Sequence, residues 1–203
     1  RVITTGGHLG YLKIAVGCDK HCTYCMFTYL RGKFRSVPEE RLLKQAEYMA
    51  SQGVRELILV AQETTVYGTD LYGKKTLHLL LKKLCQIRGI RWIRVLYCYP
   101  EEIYDELIQV MKAEPKICHY LDLPIQHASD KILRRMGRRT SKQQLIDIIT
   151  KLRREIPDIV LRTSLITGFP GETEEDHQEL MEFVDEMEFD RLGVFTYSPE
   201  EGT

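Results

Sequence analysis

The sequence predicts an α/β fold in which six βα units form an open, partial (β/α)6 barrel of the TIM-barrel-like type. Short runs of apolar and β-branched residues recur six times, and the segments between them have the spacing of apolar residues that is typical of helices. Neighbouring parallel strands need a crossover of about a dozen residues, which these helical segments supply. Because a complete barrel of this type has eight units, six units predict a barrel that stays open.

The predicted strands share a high content of Val, Ile, Leu and Tyr. They are residues 11–16, 56–61, 92–97, 118–123, 159–166 and 192–196. In parallel α/β folds the active site lies at the carboxyl ends of the strands. We therefore expect functional residues directly after these runs.

Specific residues mark the helix ends. Ser36, with Glu39 three positions later, resembles a capping box and predicts a helix that ends before Gly53. Ser141 and Thr173 are predicted to begin two further helices. In all three segments apolar residues lie three or four positions apart, so one face of each helix is expected to pack against the sheet.

The composition is that of a folded domain without charge bias. Of the 203 residues 43% are hydrophobic, and 29 Lys and Arg balance 29 Asp and Glu. Because nucleic-acid binders usually carry excess positive charge, there is no strong nucleic-acid signal. Neither an apolar run of about 18 residues nor a charged-then-apolar leader is present, which predicts no membrane partner and a cytoplasmic location.

Three cysteines follow the first predicted strand. Cys18, Cys22 and Cys25 lie on a predicted βα loop, with three residues between the first two and two between the last two. Three thiolates on one short loop can bind three irons of a cubane 4Fe-4S cluster and leave the fourth iron without a protein ligand. That iron would be open to a further ligand.

Other interpretations of the cysteines stay open. A zinc knuckle would add His21 or a distant residue as fourth ligand, although no second Cys-x-x-Cys or His pair lies nearby. A redox pair of Cys22 and Cys25 would leave Cys18 without a role. The remaining cysteines fall within predicted helices or strands and are expected to be small core residues. They are Cys85, Cys98 and Cys118.

The cysteine spacing, with the aromatic Tyr24 before the last cysteine, resembles the radical S-adenosylmethionine superfamily. Four further strings are similar to its methylthiotransferases, at residues 61–68, 122–129, 168–172 and 197–203. Among these, Ala-Gln-Glu-Thr-Thr and Gln-His-Ala-Ser resemble the branch that modifies an aspartate of a small-subunit ribosomal protein. The alternatives are the branch that modifies tRNA adenosine and, from another class, a zinc-binding module without catalysis.

The resemblance implies two cofactors, a 4Fe-4S cluster on Cys18, Cys22 and Cys25 and S-adenosylmethionine. It implies reductive cleavage of S-adenosylmethionine to methionine and a 5′-deoxyadenosyl radical, which abstracts hydrogen from the aspartate β-carbon. The implied partners are a ribosomal protein of the small subunit as substrate and an electron donor such as flavodoxin or ferredoxin. The protein is expected to supply positioning and exclusion of water.

The resemblance also implies a domain organisation. Relatives carry an N-terminal domain with three further cysteines for an auxiliary cluster, and a C-terminal substrate-binding domain. Because the chain begins at Arg1 and not Met, residues 1–10 are interpreted as a linker remnant from an N-terminal domain, and residues 11–203 as the radical SAM core. This segment is expected to bind S-adenosylmethionine without completing methylthiolation by itself.

Candidate cofactor-binding residues follow the predicted strands. Gln62, Glu63 and Thr64 end the second strand, where the superfamily binds the amino group of the cofactor, and oxygen atoms of such residues accept hydrogen bonds from an amine. A solvated loop is the alternative. Gln126 and Ser129 follow the fourth strand and are expected to contact ribose, methionine or substrate.

The resemblance also implies a cofactor contact for Tyr24. Arg162 lies within the fifth strand, where a buried cation needs a partner, either the cofactor carboxylate or a neighbouring Asp or Glu. Gly168 opens a glycine-containing segment that would let the backbone approach adenine, unless it is an ordinary turn before the next helix. His127 is expected to be structural. Two basic groups are expected to solvate a face or to contact an RNA or an acidic substrate; they are Arg31, Lys33, Arg35, Arg134, Arg135, Arg138 and Arg139.

Overall fold

The structure, a computed structural model, describes residues 7–203. Its strands are β1 (Leu9–Lys13), β2 (Ala15–Val16), β3 (Arg35–Ser36), β4 (Glu56–Val60), β5 (Trp92–Val95), β6 (Ile117–Asp122), β7 (Val160–Thr167) and β8 (Arg191–Thr196). Six of them form one parallel sheet in the order β1-β4-β5-β6-β7-β8. Within the described residues the edge strands β1 and β8 do not pair with each other, so the predicted open barrel is confirmed.

The predicted strands all occur, and the first one differs in detail. The run predicted at 11–16 is divided between β1 and β2, and β2 pairs antiparallel with β3. This small pair brings together the two ends of the segment that carries Cys18, Cys22 and Cys25. β1 begins at Leu9, inside the segment interpreted as a linker, and residues 1–6 of that segment lie outside the described residues.

The helices fill the crossovers between the parallel strands. They are α1 (Phe27–Arg31), α2 (Glu39–Ser51), α3 (Thr69–Tyr72), α4 (Leu77–Cys85), α5 (Asp105–Ala113), α6 (Asp130–Arg135), α7 (Lys142–Glu155) and α8 (Glu174–Met187), with a 3-10 turn at Pro100–Glu102. Across residues 7–203, none of the helices combines the length and the apolar character that crossing a membrane requires.

Two of the three predicted helix starts are confirmed. Ser141 caps α7 and Thr173 caps α8, each in a complete capping box. The capping box predicted at Ser36 is wrong, because Pro38 occupies the N-cap position of α2. Ser36 lies in β3 instead, and its hydroxyl accepts a hydrogen bond from the N–H of Gly68 at 3.0 Å.

The two faces of each strand meet different surroundings, since successive side chains point to opposite sides of a sheet. In β7, Leu161 and Leu165 are buried in the core cluster that includes residues of α7 and α8. Arg162 and Ser164, between them, line a cavity inside the barrel. The hydrophobic core therefore lies between sheet and helices, and the inner face of the open barrel is left for a ligand.

The cysteines outside the loop follow the prediction in two cases of three. Cys85 and Cys98 are buried, with exposures of 4% and 0%. Cys118, in β6, is only half-buried. Burial raises the pKa of the Cys85 thiol to about 11, as for an inert core thiol.

Candidate active site

A cavity of about 710 Å³ opens at the carboxyl-terminal end of the sheet. Six residues singled out from the sequence line it: Cys18, Tyr24, Cys25, Gln62, Gln126 and Arg162. The other predicted site residues, Cys22, Glu63, Thr64, Ser129 and Gly168, lie outside the lining. A larger depression of about 1050 Å³ beside α2 contains none of the predicted site residues.

Gly17 fixes the start of the loop that carries the three cysteines. Its φ is +84°, and a Cβ at this position would lie 2.1 Å from the carbonyl oxygen of Lys33, so only glycine fits. The N–H of Gly17 donates to Oε1 of Gln62 at 2.9 Å. The N–H of Cys18 donates to the carbonyl oxygen of Gly32 at 3.2 Å. The loop is thus tied both to the end of β4 and to the chain before β3.

The three thiols have different surroundings. Cys18 and Cys22 are each 7% exposed, and Cys25 is half-buried. The N–H of Lys20 donates to Sγ of Cys18 at 3.4 Å. The hydroxyl of Tyr99 lies 3.3 Å from Sγ of Cys22. N–H and O–H groups next to sulfur favour a negatively charged thiolate.

The surroundings of Cys18 and Cys25 oppose ionisation of these two thiols as long as no metal is bound. Burial raises the pKa of Cys18 and of Cys25, and the neighbouring thiol of Cys22 raises both further. Bound iron removes this opposition, because a coordinating thiol is deprotonated. Among residues 7–203, no three His, Cys, Asp or Glu side chains are grouped closely enough to hold a single metal ion. A 4Fe-4S cluster makes a different demand, since each thiolate binds a separate iron, and the donor set fits it.

The predicted residues after β4 take different positions. Gln62 lines the cavity, whereas Glu63 and Thr64 are buried, with exposures of 1% and 0%. One carboxylate oxygen of Glu63 accepts hydrogen bonds from the N–H and the hydroxyl of Thr65. The other oxygen is buried and has no hydrogen-bond partner in residues 7–203. Burial raises the pKa of Glu63 to about 7.

Arg162 and Asp122 form an ion pair in the cavity. Nη1 of Arg162 lies 2.5 Å from Oδ1 of Asp122, and the other oxygen of Asp122 accepts the N–H of Tyr97 at 3.2 Å. The bond to Asp122 raises the pKa of Arg162. Of the two partners considered for this cation, the neighbouring carboxylate is present. The side chain of Arg162 is 37% exposed, and a guanidinium has five N–H donors, so it can bind a second anion.

The segment after β6 turns beside the cavity. Gln126 has a φ of 70°, uncommon for a residue other than glycine, and its N–H donates to the carbonyl oxygen of Ser164 at 2.9 Å. Ser129 precedes α6, and its hydroxyl donates to Asp176 at 2.7 Å. His127 is fully buried, and its Nδ1 accepts the N–H of Ser129 at 3.0 Å. Burial lowers the pKa of His127.

The segment that begins at Gly168 lies behind Tyr24. Gly168 has a φ of +71°, and no described atom lies within 4 Å of the place where a Cβ would stand. Phe169 packs edge-on against Tyr24 and Tyr197, with ring centroids 6.4 and 5.2 Å apart. An aromatic cluster therefore supports the side of the cavity that Tyr24 lines.

Arg138 was expected on the surface, and this prediction is wrong, because only 5% of the residue is exposed. The cause is the end of α6. Gly137, with a φ of +72°, donates its N–H to the carbonyl oxygen of Arg134 at 3.1 Å, and the N–H of Arg138 donates to that of Leu133 at 2.8 Å. This pair of bonds is a Schellman motif, which reverses the chain. Arg138 follows the reversal and lies inside the protein.

Several residues that line the cavity were not singled out individually from the sequence. They are Tyr97, Tyr99, Asp122 and, in β8, Phe195. Asp122 opens the string at residues 122–129, whereas the only signal for the other three is that each lies near the carboxyl end of a predicted strand. The guanidinium of Arg138 stacks on Tyr99, with Cζ 4.2 Å from the ring centroid.

Known proteins resemble this chain in sequence over its whole length. The model of the Radical SAM superfamily matches residues 12–184. Ribosomal protein uS12 methylthiotransferase RimO of Lachnoclostridium phytofermentans is 70% identical over 203 residues, and the protein of that name from Clostridium botulinum (strain Langeland) is 57% identical. Both alignments cover 100% of this chain and 46% of the relative, so the chain spans about half the length of the curated relatives it matches.

Solved structures share the fold at low sequence identity. The radical S-adenosylmethionine methyltransferase TsrM from Kitasatospora setae, solved with tryptophan and a SAM analogue, superposes with a TM-score of 0.74 at 17% identity, covering 93% of this chain and 35% of TsrM. Another TsrM structure, with cobalamin and a [4Fe-4S] cluster bound, gives a TM-score of 0.75 at 17% identity over 94% of this chain and 37% of TsrM. Since the family model covers most of the chain, the chain belongs to the radical SAM superfamily.

Proposed function

We propose that this chain is the radical SAM core of a methylthiotransferase that modifies an aspartate of ribosomal protein uS12. The proposal depends on one observation. The loop that carries Cys18, Cys22 and Cys25, called the cysteine loop below, lines the same cavity as Gln62, Gln126 and Arg162. The 70% identity to a uS12 methylthiotransferase supports the substrate. A ribosomal substrate also supports a cytoplasmic location.

The superfamily uses a 4Fe-4S cluster and S-adenosylmethionine. In our proposal Cys18, Cys22 and Cys25 hold the cluster, and the cavity beside Cys18 and Cys25 holds S-adenosylmethionine. When bound, the cluster supplies one electron, received from a flavodoxin or ferredoxin, which cleaves the sulfonium into methionine and a 5′-deoxyadenosyl radical. The work of the chain is to hold both cofactors and to exclude water.

The methionine end of S-adenosylmethionine carries an amino and a carboxylate group. Arg162 is suited to the carboxylate, because its bond to Asp122 leaves other N–H donors and its side chain is partly exposed in the cavity. Gln62 is suited to the amino group through its side-chain oxygen, which already accepts the N–H of Gly17. Glu63, the next residue, is buried and does not line the cavity, so a direct contact with the amino group is proposed for Gln62 alone.

The adenosine end needs apolar contact and space. Tyr24, Ile166 and Phe195 line the cavity and offer apolar surface to a flat ring. The open space beside Gly168 would let the backbone approach adenine. Gln126 is suited to hydrogen bonds with ribose hydroxyls. Ser129 acts indirectly in this proposal, by fixing the start of α6 through Asp176.

The substrate aspartate would bring a carboxylate into the same cavity. Lys13 lines the cavity and makes no ion pair with any residue in the range 7–203, whereas Arg162 is already paired with Asp122. An unpaired cation in the cavity wall can pair with the carboxylate of a substrate aspartate. The choice of uS12 over tRNA rests on the 70% identity to a uS12 methylthiotransferase.

Two reactions test the proposal. The anaerobically reconstituted chain, given S-adenosylmethionine and dithionite, is expected to release methionine and 5′-deoxyadenosine, which chromatography with mass detection measures. Full-length protein, incubated separately with uS12 and with tRNA, is expected to add a methylthio group to uS12 alone. Modification of tRNA and not of uS12 would assign the other branch, and absence of cleavage in the first reaction would refute the proposal.

A further inference from the structure

A buried positive charge lies beside Cys22, and no step of the proposed reaction uses it. The side chain of Arg138 is 1% exposed. Its Nη2 donates to the carbonyl oxygen of Pro124 at 3.2 Å, but Nε and Nη1 are buried without a hydrogen-bond partner among residues 7–203. A buried cation with unpaired donors is costly, so an anion near it would be strongly stabilised.

Two tyrosines connect this cation to the cysteine. The ring of Tyr99 lies under the guanidinium, 4.2 Å from Cζ, while its hydroxyl lies 3.3 Å from Sγ of Cys22. Burial raises the pKa of the nearby Tyr24, while Arg138 lowers it and Cys22 raises it. Arg138 and Cys22 therefore lie on either side of the phenol of Tyr99.

The turn that carries Arg138 is attached to the cysteine loop. Thr23 donates its N–H to the carbonyl oxygen of Met136 at 3.0 Å and its hydroxyl to that of Arg135 at 2.9 Å. A Cβ at Gly137 would lie 2.6 Å from the carbonyl oxygen of His21, so the two backbones are in close contact. Arg138 is held next to the loop by these contacts and not by its own side chain alone.

One acidic side chain offsets the charge only in part. Oε2 of Glu101 lies 3.7 Å from Nη2 of Arg138, too far for a good hydrogen bond. That oxygen is itself buried without a hydrogen-bond partner among residues 7–203, so Glu101 and Arg138 form an ion pair without a direct hydrogen bond.

We propose that Arg138 is a fixed counter-charge for an iron–sulfur cluster bound at Cys22 and that it favours the reduced form of that cluster. The inference rests on the proposed function, since it needs the cluster. Reduction by one electron adds one negative charge, and a nearby cation in a medium of low dielectric constant stabilises that charge. Net charge and hydrogen bonds to the sulfurs are known determinants of cluster potential. Arg138 therefore acts on the cluster through its charge, and not on the substrate.

The test is the reduction potential of the cluster in the anaerobically reconstituted chain, titrated with dithionite and read by electron paramagnetic resonance. Arg138→Met is expected to lower the equilibrium constant for reduction at least about tenfold, a shift of about 59 mV to more negative potential for one electron. Arg138→Lys keeps the charge and is expected to restore most of the shift. Arg139→Met makes the same charge change at the adjacent exposed residue and is expected to leave the potential unchanged.

If Arg138→Met binds no cluster, a second variant tests the inference, with an expected shift of the reduction potential in the opposite direction. Glu101→Gln removes the offsetting carboxylate and is expected to shift the potential to a more positive value. Equal potentials in the wild type and Arg138→Met at equal iron content, equal shifts in Arg138→Met and Arg139→Met, or no positive shift in Glu101→Gln would each overturn the inference while the proposed function stands. If the wild type assembles no cluster, the proposed function itself is refuted.

Discussion

The hydroxyl of Tyr99 lies 3.3 Å from the sulfur of Cys22, and this contact joins the segment after β5 to the cysteine loop across 77 positions of sequence. The N–H of Tyr99 in turn lies 3.5 Å from the buried carboxylate of Glu63. Residues that follow β4 and β5 and the loop after β2 thus form one connected group. The arrangement makes the surroundings of each thiol testable one side chain at a time.

Tyr99→Phe removes the hydroxyl and keeps the ring under Arg138. A hydrogen bond to a cluster sulfur stabilises the reduced form, so the potential is expected to become more negative while iron content stays the same. Redox titration of the reconstituted chain measures it. Tyr104→Phe is the control, because the hydroxyl of Tyr104 bonds to His78 and not to a cysteine. Equal potentials for Tyr99→Phe and wild type would contradict this reading of the contact.

Gly17→Ala is expected to prevent formation of the cysteine loop. The new Cβ would lie 2.1 Å from a backbone oxygen, in addition to the cost of about 1–2 kcal/mol for a left-handed backbone. Gly73→Ala separates the two effects, since Gly73 has a φ of +69° with nothing within 4 Å. Iron analysis after reconstitution should show loss of cluster in Gly17→Ala only. Full iron content in both variants would show that the close approach to Lys33 is unimportant.

Glu63→Gln is expected to change how stability depends on pH. The pKa of Glu63 is raised to about 7 from the ordinary 4.5, so between these values the folded state binds more protons than the unfolded state. The contribution of this group to stability is present below about pH 4.5 and falls as pH rises to about 7, by roughly 3 kcal/mol at 1.36 kcal/mol per pH unit. Glutamine has no such proton, so the variant should gain stability relative to wild type over this interval.

Urea unfolding of the iron-free chain at pH 5 and pH 8 measures the difference. Glu47→Gln, at an exposed position within α2, is the control and should follow wild type at both pH values. A constant difference between Glu63→Gln and wild type across the interval would show that Glu63 titrates as an ordinary carboxyl.

Arg162→Gln is expected to weaken S-adenosylmethionine binding. A hydrogen bond to a charged group contributes about 1.5–3 kcal/mol, which corresponds to roughly a 10- to 100-fold rise in Kd. Arg94→Gln is a matched control, because Arg94 is also an arginine in an ion pair, with Glu56 at 2.7 Å, but does not line the cavity. Anaerobic calorimetry of the reconstituted chain measures both. Equal loss of affinity in the two variants would argue against a direct contact of Arg162 with the cofactor.

The sequence predicts those parts of the fold that local patterns determine. The caps at Ser141 and Thr173 are local, because each side chain bonds to a backbone group three residues away. The strands are predicted by their apolar runs, and their parallel order follows from the helical crossovers. Ser36 shows the limit of such reasoning, since its hydroxyl serves Gly68 of a distant segment and no spacing rule announces that contact.

The site was predictable where a motif or a strand end marks it. Cys18, Cys25 and Gln62, which line the cavity, were singled out in this way. The pairing of Arg162 with Asp122 depends on the register between β6 and β7, in which these two residues lie side by side. Arg138 is buried because a turn at Gly137 reverses the chain, and in the sequence it cannot be distinguished from its exposed neighbours. Non-local geometry of this kind requires the structure.

The most direct test of the account is the iron and sulfide content of the anaerobically reconstituted chain and its cysteine variants. The wild type is expected to bind about four irons and four sulfides, with the absorbance of a 4Fe-4S cluster. Cys18→Ala, Cys22→Ala and Cys25→Ala should each lose it, whereas Cys85→Ala, at a buried core cysteine, should keep it. Full iron and sulfide in Cys22→Ala, or zinc in place of iron in the wild type, would contradict the account.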